Sequence, residues 1–99
     1  MKILALERET QGGALSPQLL RAEAQRVWEL YLQGIVREAY FRDGIREAVL
    51  ILEAQDVQSA KAALNTLPLV ESGSLSFEVV PLIPYDGFRR LFSQTTGPA

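Results

Sequence analysis

Two segments with the grammar of helices, each set between apolar strand-like runs and separated by one hairpin signal, constrain this chain more than any other feature. The first is "SPQLLRAEAQRVWELYLQG": Ser16 offers an N-cap, Pro17 suits the first helical position and Gly34 stands just past the end. Leu20, Ala24, Val27 and Tyr31 recur at helical spacing and are expected to face the core, with Arg21, Glu23, Arg26 and Glu29 on the wet side. The second is "VQSAKAALNTL", with Asp56 as its N-cap, an apolar stripe of Val57, Ala60, Leu64 and Leu67, and Pro68 to stop it.

The strands are legible between them. Lys2 to Glu9, "KILALERE", begins apolar and ends charged, as an inner strand does when it emerges from a sheet, and "QGG" reads as the loop that follows. "IVREAYFRD" and "IREAVLILEA" flank Asp43-Gly44, a strong two-residue hairpin signal. A turn there pairs Arg42 with Ile45, Tyr40 with Glu47, Glu38 with Val49 and Val36 with Ile51, which gathers Glu38, Tyr40 and Glu47 on one face. In "LSFEVVPL", Leu75, Phe77 and Val79 alternate with more polar neighbours, and Pro81 points to an edge strand, a bulge or the end of regular pairing. A short helical turn is expected at 87–92, with apolar Phe88, Leu91 and Phe92 docked on the core or on another chain.

The resulting order, strand-helix-strand-strand-helix-strand, is the ferredoxin-like α+β pattern, and right-handed crossovers put both helices on one face of a four-stranded antiparallel sheet. Ile3, Leu4, Ala5 and Leu6, with Val49, Leu50, Ile51 and Leu52, send apolar side chains to both faces. The bare face is therefore expected to pair with a second sheet, most simply in a homodimer or a multiple of one. A length of 99 residues fits one domain over 1–92, followed by a flexible tail at 93–99.

Composition narrows the chemistry. The chain has no cysteine and no histidine, so thiolate chemistry, cysteine metal sites and a histidine acid or base are excluded, and haem would lack a histidine ligand. A formal charge of −2 provides no field to attract a phosphate backbone. The first strand also lacks the aromatic residues by which RNA-recognition modules of this topology stack bases. No glycine-rich phosphate loop, signal peptide pattern or membrane-length apolar run is present, so no nucleic-acid partner, no membrane and a cytoplasmic location are expected.

The run "LNTLPLVESGSLSFEVVPL" resembles the end of the muconolactone isomerase family, part of the dimeric α+β barrel group. There a helix closes in Leu-Pro-Leu, here Leu67, Pro68 and Leu69, and the last strand reads Glu-Val-x-Pro-Leu, here Glu78, Val79, Pro81 and Leu82. The resemblance reaches back more weakly through Gly34 and Gly44, over about two-thirds of the chain. It implies a two-chain barrel, often built into larger rings, with a small pocket between sheet and helices. It also implies a reaction without metal or organic cofactor, which moves a proton beside a lactone carbonyl. The family's isomerases carry a histidine on the second strand where this chain has Glu38.

The candidate site follows from that position. Glu38 would be the base and Tyr40 a hydrogen-bond donor, with Arg42 or Arg37 holding an acidic substrate, Trp28 and Tyr31 lining a flat pocket, and Glu53 a further substrate contact. The competing reading makes Glu38, Tyr40 and Arg42 ordinary hairpin residues paired across the strands, and Trp28 and Tyr31 part of the core. A cofactor-free isomerase of a small lactone or carbonyl compound thus stands beside a non-catalytic ligand-binding or assembly module of the same fold. A cofactor-independent monooxygenase would require a larger apolar cavity.

Overall fold

The computed structural model describes residues 1–9 and 15–92; the expected Gln11–Gly13 loop and the tail at 93–99 lie outside them. Eight elements follow in order: β1 (Lys2–Glu9), α1 (Pro17–Leu32), β2 (Val36–Phe41), β3 (Ala48–Glu53), α2 (Val57–Leu64), α3 (Pro68–Glu71), β4 (Leu75–Leu82) and α4 (Arg89–Phe92). The strands form one antiparallel sheet in the order β2-β3-β1-β4. The most apolar strand, β3, is thereby central beside β1, and Pro81 lies on edge strand β4, opposite Ile3, where a residue without an N–H is tolerated.

The caps act as their residue types predict. Ser16 Oγ accepts the N–H of Leu19 at 3.0 Å and Asp56 Oδ1 that of Ser59 at 2.7 Å. Gly34 ends the first helix with φ +79°, which lets the Ile35 N–H reach back to the Leu30 carbonyl at 2.9 Å. Pro68 departs from expectation. α2 stops earlier, at Leu64, and Pro68 opens α3 at the first helical position, where its missing N–H needs no partner.

One face of the sheet carries the core: Ile3 and Ala5 of β1, Val36 of β2, and Leu50 and Leu52 of β3 pack under Leu30, Ala60, Leu64 and Leu67. The buried stripe of α1 is turned from the one that periodicity predicts. Leu30 is buried and Leu19, Glu23, Arg26 and Val27 half-buried, whereas Leu20, Ala24, Trp28 and Tyr31 face outward. Apolar residues occur on both sides of this helix, so spacing alone does not choose between them, and Glu23 moves from the wet side to the packed one. The opposite face of the sheet carries Leu4, Leu6, Val49, Ile51, Val80 and Leu82, with no described helix from this chain over it.

The hairpin is wider than a two-residue turn. Phe41 pairs with Ala48, Tyr40 with Val49 and Glu38 with Ile51, and a bulge at Arg37 brings Val36 opposite Leu52. A tight type I′ turn needs positive φ at both central residues. Gly44 has it at +86°, but no residue other than glycine does among those described, so Asp43 cannot supply the second. The loop instead closes through Arg42 N–H to Glu47 carbonyl at 2.9 Å and Arg42 Nη1 to Glu47 Oε1 at 3.0 Å. This displaces the register by two residues, which preserves the faces of Glu38 and Tyr40, moves Glu47 out of the strand column into the loop, and with the bulge turns Val36 from the expected Ile51 face to the core.

Candidate functional site

Glu38 and Tyr40 are two residues apart on edge strand β2, so both project from the open face. Their side chains meet: the Tyr40 hydroxyl donates to Glu38 Oε1 at 2.6 Å. The same hydrogen bond, reinforced by the carboxylate charge, raises the Tyr40 phenol above its ordinary value. The remaining expected residues do not join them. Arg42 is held by Glu47 in the hairpin loop, and Glu53 receives the amino group of Met1 at 3.0 Å. Trp28 and Tyr31 stack on each other at 5.5 Å along the exposed side of α1, behind the sheet rather than on its open face.

A second constellation lies on the helix side, where sequence reasoning placed no site. Glu23 reaches from α1 toward α3, and its Oε1 accepts the N–H of Leu69 at 2.9 Å. Burial raises its carboxyl above the usual range, the Leu69 hydrogen bond opposes that shift, and the charge of nearby Glu7 adds to it. Glu7 points to the same side as Ile3 and Ala5, and its Oε1 accepts the N–H of Ala48 at 3.0 Å. Two signals could have revealed the pair: Glu7 shares its strand parity with buried residues, and Glu23 stands four residues before Val27 and seven before Leu30.

An open cleft of about 150 Å³ runs between α2 and β4, lined by Leu64, Val70, Phe77 and Val79 with Lys61, Asn65 and Ser76. Neither Glu7 nor Glu23 lines it; Phe77 pairs with Glu7 across the ladder, and Val70 follows Leu69, whose N–H Glu23 accepts. Among the described residues no group of three or more carboxylates gathers as a metal cage, and no helix is long and apolar enough to cross a membrane. Chemically, the arrangement provides one half-buried carboxyl group, Glu23, whose ionised form is disfavoured first by burial and also by the charge of nearby Glu7.

No family model matches the sequence, and no curated protein matches it. Among solved structures, the crystal structure of muconolactone isomerase matches 100% of this chain and 98% of its own length, with a TM-score of 0.73 and 16% sequence identity. The backbone likeness spans the whole chain, beyond the two-thirds over which the sequence resemblance extends. The chain has the muconolactone isomerase-like fold, a ferredoxin-like α+β architecture.

Proposed function

We propose that the protein is a cofactor-free proton-transfer enzyme of the muconolactone isomerase type, acting on a small lactone or carbonyl compound, with Glu23 as its acid–base group. The observation that carries this reading is the half-buried Glu23 carboxylate, raised by burial and steered by one backbone N–H. A raised pKa makes a carboxylate a stronger base, able to take a proton beside a carbonyl and return it one position along the conjugated system. Glu7 assists by disfavouring the ionised form of Glu23, and Phe77 and Val70 offer an apolar surface for the substrate's carbon frame. The likeness of fold supports the assignment, and the chemistry requires no group that the chain lacks.

In this reading the open sheet face packs against a second copy. Leu4, Leu6, Val49, Ile51, Val80 and Leu82 form a contiguous apolar surface there, of the kind that soluble monomers seldom expose. The rim is polar, with Arg8 paired to Glu78, and Glu38 to Tyr40. A monodisperse monomer at micromolar concentration by light scattering would refute the dimer.

A second proton-transfer site at Glu38 and Tyr40 is favoured by their 2.6 Å hydrogen bond, which a partner sheet would enclose. The deciding experiment is proton NMR of muconolactone and related butenolides in deuterated water with the native protein, Glu23→Gln and Glu38→Gln. Exchange beside the carbonyl that is lost only in Glu23→Gln assigns the helix-side carboxylate. Loss only in Glu38→Gln assigns the sheet-side pair. No exchange by the native protein across the panel would leave the non-catalytic ligand-binding module as the better account.

A further inference from the structure

Arg26 stands three residues after Glu23 on α1 and three before Glu29, so its guanidinium has a carboxylate within helical reach in either direction. It takes Glu29, with Nη1 3.1 Å from Oε1, and among the described residues no cation comes within ion-pairing distance of Glu23. For a helix this is the poorer choice. An acid placed before its base along the chain suits the helix dipole better than the reverse, and Glu23–Arg26 has that order whereas Arg26–Glu29 does not. A further contact is needed to hold the guanidinium where it is.

Thr66 supplies that contact. Arg26 Nε donates to Thr66 Oγ1 at 2.9 Å, reaching from α1 to the step between α2 and α3. A threonine hydroxyl has one proton to give, and that of Thr66 goes to the Ala63 carbonyl at 2.6 Å. Its lone pairs are left to accept from Arg26, which has donors only. The planar guanidinium is then fixed at two points, Nε on Thr66 and Nη1 on Glu29. The groups that do bear on Glu23 are Glu7 from β1 and the Leu69 N–H from α3, while Glu71, the one charged residue of α3, is exposed. A guanidinium arriving beside Glu23 would favour the ionised carboxylate and make it a weaker base.

We propose that Thr66 and Glu29 are positioning residues that hold the Arg26 guanidinium off the Glu23 carboxylate, so that Glu23 stands without a counter-ion. The inference rests on the proton-transfer reading for its purpose, because a carboxylate neutralised by arginine is a poor base. Its test reads the titration of Glu23 rather than turnover.

Carboxyl-carbon NMR, with the Glu23 signal assigned by its absence in Glu23→Gln, follows the Glu23 midpoint in the native chain, Thr66→Val, Arg26→Gln and the double variant. Thr66→Val removes the tether without altering charge at an exposed position, and an unchanged urea midpoint certifies the fold. The Glu23 midpoint should move to lower pH in Thr66→Val and stay native in Thr66→Ser. In the Arg26→Gln background it should be the same with threonine or valine at position 66. A midpoint that Thr66→Val leaves in place or raises overturns the proposal, as does a fall that persists without Arg26. Glu29→Gln closes a second cycle: part of its effect on Glu23 should vanish in Arg26→Gln, and an effect identical in both backgrounds counts against the proposal. An Arg26-dependent fall without any proton exchange on the butenolide panel would sink the enzymatic reading and leave this one standing. Exchange by the native chain with a Glu23 midpoint indifferent to Thr66→Val would do the reverse.

Discussion

Glu23 on α1 and Leu69 on α3 are joined by a 2.9 Å hydrogen bond from the Leu69 N–H to the carboxylate, across 46 residues of sequence. Leu69 is buried and its N–H falls in the first turn of α3, where no intrahelical acceptor exists. The bond therefore fastens the Leu67–Leu69 step to the first helix. Removing the acceptor with Glu23→Ala should lower stability by about 1–3 kcal/mol, the typical cost of a buried N–H left without a partner. Glu23→Gln retains an oxygen for the bond and should unfold close to the native midpoint in urea.

The same carboxylate gives stability a pH dependence of definite sign. Its folded value is raised above that of the unfolded chain, so the folded state binds the proton more tightly. The contribution of Glu23 is then most favourable below the unfolded value of about 4.3. It declines as pH rises through the raised folded value. Chemical unfolding across that window should show a smaller decline in Glu23→Gln than in the native protein, and identical slopes would remove burial as the cause.

Tyr40 offers a test on the other face. Its phenol donates to Glu38 and lies beside that charge, and both effects hold the proton on. Ultraviolet titration should find Tyr40 ionising at higher pH than its ordinary value, and Glu38→Gln should bring it back down, with Tyr40→Phe identifying the signal. A Tyr40 titration unmoved by Glu38→Gln would mean that the two side chains do not hold each other in solution.

How far the sequence reaches differs between fold and site. Element order, the caps at Ser16 and Asp56, and the edge placement of Pro81 are local matters of backbone hydrogen bonding, and short motifs encode them. Which side of α1 is buried is not local: Leu20, Trp28 and Tyr31 make as good a stripe as Leu19, Val27 and Leu30, and only packing against β2 and α3 decides. That choice conceals the candidate site, because it carries Glu23 inward and leaves the stacked Trp28–Tyr31 pair outside. The hairpin failed for a comparable reason. Asp43-Gly44 has the composition of a tight turn, yet the Arg42–Glu47 pair closes a wider loop.

Gly34 isolates one backbone effect from packing. It sits just after α1 at φ +79°, and its own N–H donates to the Tyr31 carbonyl at 3.0 Å while that of Ile35 donates to Leu30 at 2.9 Å. A Cβ placed there would meet nothing within 4 Å, so substitution adds no clash with neighbouring side chains. What remains is the left-handed conformation itself, which disfavours a residue bearing a Cβ by roughly 1–2 kcal/mol. Gly34→Ala should therefore lower the unfolding free energy by about that amount without changing the far-ultraviolet spectrum. Gly34→Asn should lose less, because asparagine tolerates this region better. Equal losses in the two variants would show that something other than φ sets the cost of ending α1 at this position.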